Sequence, residues 1–251
     1  MKTTKSNSIQ ELQDKADKID KLIAEKILSE DPEIVAITDG IMDFEKYFHA
    51  KYKILWILKE PYDDFNEEGK PFGGDWHLRD AIIPKQTYQE FTGGRKTFEP
   101  MIYTTWGILN DFCLWNNMKD LNNDPTMLNA LKSVAYINVK KLPGYTSSNP
   151  TEIENAYQLH KEILLKQIEC YNPDILIGGY TLHLFMNDMG ITNEEMIKNG
   201  SANYIIKDDK IIIDAYHPAQ RPSTTGVSQE QYCNDIIAAV KIWATTNYLT
   251  Q

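Results

Sequence analysis

The chain has 251 residues, 42% hydrophobic and 25% charged, enough apolar material for one full-sized core and the wrong composition for a disordered, collagen-like or fibrous protein. Lys and Arg number 26 against 36 Asp and Glu, a formal net charge of -10, which excludes a general nucleic-acid coat but not a local cationic cleft. No stretch approaches the roughly 18 uninterrupted apolar residues of a membrane span, and the start MKTTKSNSIQELQDKADKID is polar where a secretory signal is apolar. A soluble, cytoplasmic protein with no membrane association is expected. Cys113, Cys170 and Cys233 lie more than fifty residues apart, which fits neither a disulfide framework nor a clustered metal site. They read as buried thiols, with no metal and no cofactor expected.

Residues 8–30 predict an amphipathic helix, with Ser8 and Glu11 spaced as a capping box and Ile9, Leu12, Ala16, Ile19, Ile23 and Ile27 along one face. KILWIL (53–58) is short and apolar on both faces, as a central parallel strand is, and it stops at KEPYDDF (59–65). A long Gly-, Pro- and aromatic-rich stretch follows, with GKPFGGDWH (69–77) and FTGGRK (91–96); loops of this length usually carry function. A helix is expected over 99–116, a short one over 128–132, and a strand over 134–138 (VAYIN). After KKLPGYTSSNP, Thr151 and Glu154 are spaced to cap a helix to Cys170. DILIG (174–178) is the next strand and ends at a Gly-Gly that opens a helix over 181–189. Residues 204–206 and 211–216 read as a hairpin whose second arm runs into HPAQRP (217–222), and Ser228 and Gln231 cap the last helix.

Strands separated by helices argue an α/β protein, a three-layer α/β/α sandwich with a central, mainly parallel four-stranded sheet. It reads as a single domain over 1–251, with 1–50 as an N-terminal helical extension packed on it. Ligands in such sheets bind at the carboxyl ends of the strands. There the sequence places Glu60, Asn138, the Gly178-Gly179 pair and His217, which together supply a carboxylate, an amide and an imidazole. Arg79, Arg95 and Arg221, the only arginines, fall in segments read as loops around that same end.

This order of blocks resembles the uracil-DNA glycosylase superfamily over roughly residues 53–245. KEPY is similar to the family's Gln-Asp-Pro-Tyr motif, with Pro61 and Tyr62 retained, Glu60 for Asp and Lys59 for Gln. HPAQRP is similar to its His-Pro-Ser motif, with His217 and Pro218 kept, Ala219 for Ser, and an Arg221 like that of the single-strand-selective branch. The resemblance implies hydrolysis of the N-glycosidic bond of uracil or a related damaged base, without metal or cofactor. Glu60 would position the water and favour the sugar cation, and His217 would stabilise the departing base anion. Asn138 would read the base edge, Tyr62 would crowd the C5 position, and Phe72 would stack on the flipped base, ahead of Phe65 and Trp76. Lys59, Lys140, Gln220 and Arg221 would face the nucleic acid. The implied partner is uracil-containing or damaged DNA, with a single strand in view, or a nucleobase ligand. Two departures stand out: Glu60 is one methylene longer than Asp, and Gln220 and Arg221 replace an apolar wedge. A non-catalytic member that binds a nucleobase or nucleic-acid end, and a hydrolase of free nucleosides or nucleotides, are the competing readings.

Overall fold

The structure, a computed structural model, describes residues 8–30, 35–70, 72–91 and 94–248. The polar start 1–7, Pro71 of GKPFGGDWH, and Thr92 and Gly93 of FTGGRK lie outside the described residues. The fold is mixed α/β around a mainly parallel sheet, as expected. That sheet has six strands rather than four: β1 (Gly40–Ile41), β2 (Ile54–Leu58), β3 (Val134–Asn138), β4 (Ile175–Gly179), β5 (Ala202–Lys207) and β6 (Lys210–Ala215), in the order β1-β3-β2-β4-β6-β5. The four inner strands are mutually parallel and the two edge strands run antiparallel to their neighbours. Both extra strands are edges. β5 is the first arm of the expected hairpin, turned through Asp208 (φ 50°) and Asp209 (φ 62°), while the two-residue β1 is too short to leave a periodic signal.

β2, β3 and β4 are buried at every residue, which is why they read as unbroken apolar runs rather than alternating ones. Their side chains still alternate in direction. Ile54, Trp56 and Leu58 join a core with α2 (Arg95–Leu109) and α4 (Gln229–Tyr248). Leu55 and Ile57 join a second core with α1 (Ile9–Glu30) and α3 (Pro150–Tyr171).

Local chemistry moved several helix boundaries. α2 ends at Leu109 rather than 116, because Asp111 (φ 54°) and Phe112 (φ 61°) take left-handed backbone. The cap of α3 is Asn149, whose side chain accepts from the Thr151 N–H at 3.0 Å ahead of Pro150, so the Thr151/Glu154 box is not used. The helix after the Gly-Gly spans only Leu182–Phe185. Ser8 and Ser228 do cap as expected. Of the cysteines, Cys233 is buried, its thiol pushed up to about 12 by desolvation, whereas Cys113 and Cys170 are only partly covered.

The N-terminal region does more than pack on the sheet. Asp39, just before β1, is fully buried, and its Oδ1 accepts from Lys141 Nζ at 2.6 Å and Gln167 Nε2 at 3.1 Å. Its Oδ2 accepts from the Asn138 backbone N–H at 2.7 Å. Burial pulls the Lys141 pKa down while Asp39 opposes it. Removing one partner of such a pair strands a buried charge, which costs roughly 3–5 kcal/mol, whereas removing both costs less. Asp39→Ala is therefore expected to lose stability in that range in urea unfolding, and Asp39→Ala/Lys141→Met to recover part of it. A double variant no more stable than the single one would contradict the assignment.

Candidate functional site

The parallel pairing of β3, β2, β4 and β6 puts their carboxyl ends on one rim. Leu58 lies opposite Asn138, Ile57 opposite Gly178, and Gly179 opposite Ala215. The β2–β3 ladder continues past the strands, with Val139 N–H donating to Leu58 O and Lys140 N–H to Lys59 O, both at 2.9 Å. Thr181 Oγ1 donates to Ile57 O at 2.7 Å and ties the Gly-Gly turn to β2. A Cβ on Gly179 would fall 2.3 Å from Leu58 Cδ2 and 3.1 Å from Pro218 Cδ, so glycine there lets the His217-Pro218 turn close over the ends of β4 and β2. Glu60, Asn138 and His217 thus share one end of the sheet, as the sequence implied.

The Glu60 side chain is only 3% exposed, and its Oε2 accepts from Lys140 Nζ at 3.0 Å. Its Oε1 is buried with no hydrogen-bond partner among the described residues. Gly144 makes room for it, since a Cβ there would stand 2.2 Å from Glu60 Cδ. Asn138 is 0% exposed; its Oδ1 accepts from Tyr136 OH at 3.3 Å, and its Nδ2 has no partner among the described residues. Buried polar groups are nearly always paired. Of the eight buried side-chain atoms without a partner among the described residues, this acceptor and this donor are the two at the adjacent ends of β2 and β3, where a ligand or water could complete the bonding.

His217 supplies a neutral donor. Its Nδ1 accepts from the Ala219 backbone N–H at 3.1 Å, so the hydrogen resides on Nε2. Desolvation, helped by the Lys59 charge, lowers its pKa to about 4. Lys59 itself is half-buried and pulled down by desolvation, with Glu60 opposing, and its ammonium stands 4.5 Å from the Tyr180 ring centroid. Tyr180 has a left-handed backbone (φ 62°) held by N–H bonds to Gly178 O and Ala215 O. Such a conformation in a bulky residue costs on the order of 1–3 kcal/mol and is concentrated at working sites. No sequence motif pointed to Tyr180.

Other expected residues stand differently. Tyr62 is 53% exposed, in an aromatic chain with Phe65 and Tyr145 at centroid separations of 5.8 and 5.9 Å. Phe72 is 65% exposed, its loop held by an N–H bond to Asp64 O, and Trp76 is fixed by donating to Asp63 Oδ2 at 2.8 Å. Lys140 does not face solvent for a polyanion, because it bridges Glu60 and Glu152. Gln220 is turned back to Val227 O at 3.0 Å. Arg79 and Arg95 belong to helices rather than loops; Arg79 donates to Ile41 O and Arg95 to Gln89 O. Arg221 is exposed and borders a cleft of about 300 Å³ with Lys96, Glu99, Pro218 and Gln229. Among the described residues no group of His, Cys, Asp or Glu is arranged to hold a metal ion, and no helix is long and apolar enough to cross a membrane. The sequence matches no protein-family model, and no curated protein is significantly similar to it.

The imidazole makes a pH prediction with a definite sign. Its pKa falls from the ordinary 6.5 to about 4 on folding, so between those values the unfolded chain binds a proton that the folded one refuses. The stability held by neutral His217 is present above pH 6.5 and is lost as pH falls toward 4. His217→Gln is expected to flatten the stability-versus-pH curve in that window, measured by urea unfolding; an unchanged slope would contradict a desolvated neutral imidazole.

Proposed function

We propose that the protein is a monofunctional glycosylase of the uracil-DNA glycosylase kind, hydrolysing the N-glycosidic bond of uracil or a related damaged base in DNA. On this reading the two cores flanking the sheet are the outer interfaces of a three-layer α/β/α sandwich, and the chain is one glycosylase-like domain. The carrying observation is the pair of buried unpartnered atoms, Glu60 Oε1 and Asn138 Nδ2, on the rim that also holds His217. Asn138 Nδ2 would donate to a base carbonyl, with its Oδ1 available to the adjacent ring N–H. Water held by Glu60 Oε1 would attack C1′ and give up a proton to the carboxylate. The C–N bonding pair would leave with the base, whose developing charge would meet the His217 Nε2–H. A neutral donor suits this task, since it stabilises the anion without having to lose a proton first.

Charge favours a single strand or a short substrate over long duplex. The loop that carries Tyr62, Phe65 and Phe72 also carries exposed Asp64, Glu67 and Glu68, which repel a phosphate backbone. Lys96 and Arg221 line the cleft beside Pro218, with Glu99 on the same wall, and Lys59 lies close enough to His217 to act on it electrostatically. The same acidic loop favours, as the second reading, a member that binds a nucleobase or a nucleic-acid end without cutting it, or that hydrolyses free nucleosides.

Cleavage and binding on one uracil-containing single strand separate these readings. Glu60→Gln is expected to lower the single-turnover rate on the order of a hundredfold or more while leaving affinity nearly unchanged, because the lost interaction strengthens only in the transition state. Full activity in Glu60→Gln would overturn the mechanism, and tight binding without cleavage in the wild type would establish the binder.

A further inference from the structure

We infer that Lys140 is the positioning residue for Glu60, committing its Oε2 to an ion pair so that Oε1 is the carboxylate oxygen left to act. The inference rests on the glycosylase reading for what Oε1 acts upon, but the pair stands on geometry alone. Lys140 follows β3 by two residues and Glu60 follows β2 by two, and the continued ladder holds their backbones side by side. Their side chains meet at 3.0 Å with Glu60 almost wholly covered. The backbone at Gly144 passes close to the same carboxylate, since a Cβ there would stand 2.4 Å from Glu60 Oε2. Lys140 is itself steadied by Glu152, in the first turn of α3, at 3.1 Å. Burial works against the Lys140 charge, but its bonds to Glu60 and Glu152 outweigh that and raise its pKa. It is therefore cationic at neutral pH.

Among the described residues, the charged groups shown to act on Glu60 are Lys140 and Lys59 on its own segment, with Glu152 behind Lys140. Lys59 is directed to the Tyr180 ring and makes no ion pair with Glu60. Lys140 is thus the direct counter-charge. A buried carboxylate deprived of one takes up a proton rather than remain charged, and a protonated Glu60 can neither accept a proton from water nor favour a sugar cation.

The test compares Lys140→Met, Lys140→Arg and Glu152→Gln with wild type in the pH dependence of single-turnover cleavage of a uracil-containing single strand. Lys140→Met should move the acid limb of the profile upward by roughly one to three pH units, the span typical of a lost opposite charge, and Lys140→Arg should restore most of it. Glu152→Gln should leave the limb in place or move it down, since it removes a negative charge and keeps the Lys140 pair; an upward shift there would overturn the inference even if Lys140→Met fails to fold. A parallel readout needs no activity. Infrared difference spectra at neutral pH should show a protonated carboxyl band in Lys140→Met that is absent in wild type and in Lys140→Met/Glu60→Gln. A profile and spectrum indistinguishable from wild type would reduce Lys140 to a structural bridge and overturn the proposal. Should the wild type cleave nothing, the glycosylase reading falls and the infrared band alone decides whether Lys140 holds the charge on Glu60.

Discussion

A carboxylate that is 3% exposed must be compensated, because an isolated buried charge costs far more than the few kcal/mol by which a domain is stable. How Glu60 is compensated dictates much of what surrounds it. Lys140 has to come from the neighbouring strand in matching register, residue 144 has to lack a side chain, and Glu152 has to begin a helix within reach of the same ammonium. A parallel β2–β3 pair meets these demands, since both strands end on the same rim. The compensation is also incomplete: Oε1 keeps its bonding capacity unspent, and this connects the stability of the rim to what the rim could do.

The same division holds for Asn138. Its backbone is anchored by Asp39, which Lys141 and Gln167 hold from the opposite side, and its Oδ1 is engaged by Tyr136. Nδ2 is left over, together with the second lone pair of Oδ1. With Asp39 fixed by a buried ion pair and Gly40 pressed against Tyr171, the first strand of the sheet is a brace for the amide rather than an appendage. His217 is treated in parallel fashion, one ring nitrogen bonded to its own turn and the other left to donate. Each group spends part of its bonding on position and keeps one atom in reserve.

The inner strands were legible because a strand buried on both faces must be apolar throughout, and VAYIN and KILWIL leave little alternative. The residue after each strand was equally legible, since position in a parallel sheet follows from the end of the run. What escaped the sequence was pairing at a distance. Lys59, Lys140 and Lys141 look alike in the chain, yet register sends Lys59 to Tyr180, Lys140 to Glu60 and Lys141 to Asp39. All three of those partners lie eighty or more residues away, where no local pattern reaches. β1 was invisible for another reason: two residues carry no period, and Gly40 is required by its backbone (φ 145°) and its contact with Tyr171 rather than by any turn. Arg79 and Arg95, read as free loop cations, are held by carbonyls, and proximity in sequence to flexible segments gave no hint of it.

The central claim is that Asn138 Nδ2 and His217 Nε2–H belong to one base-binding site. Following their side-chain ¹⁵N–¹H resonances while free uracil is titrated into the protein tests it directly. The account predicts that both signals shift together along a single saturation curve, and that Asn138→Asp abolishes the response at His217. Shifts at only one of the two, or at neither with uracil in large excess, would contradict a shared site.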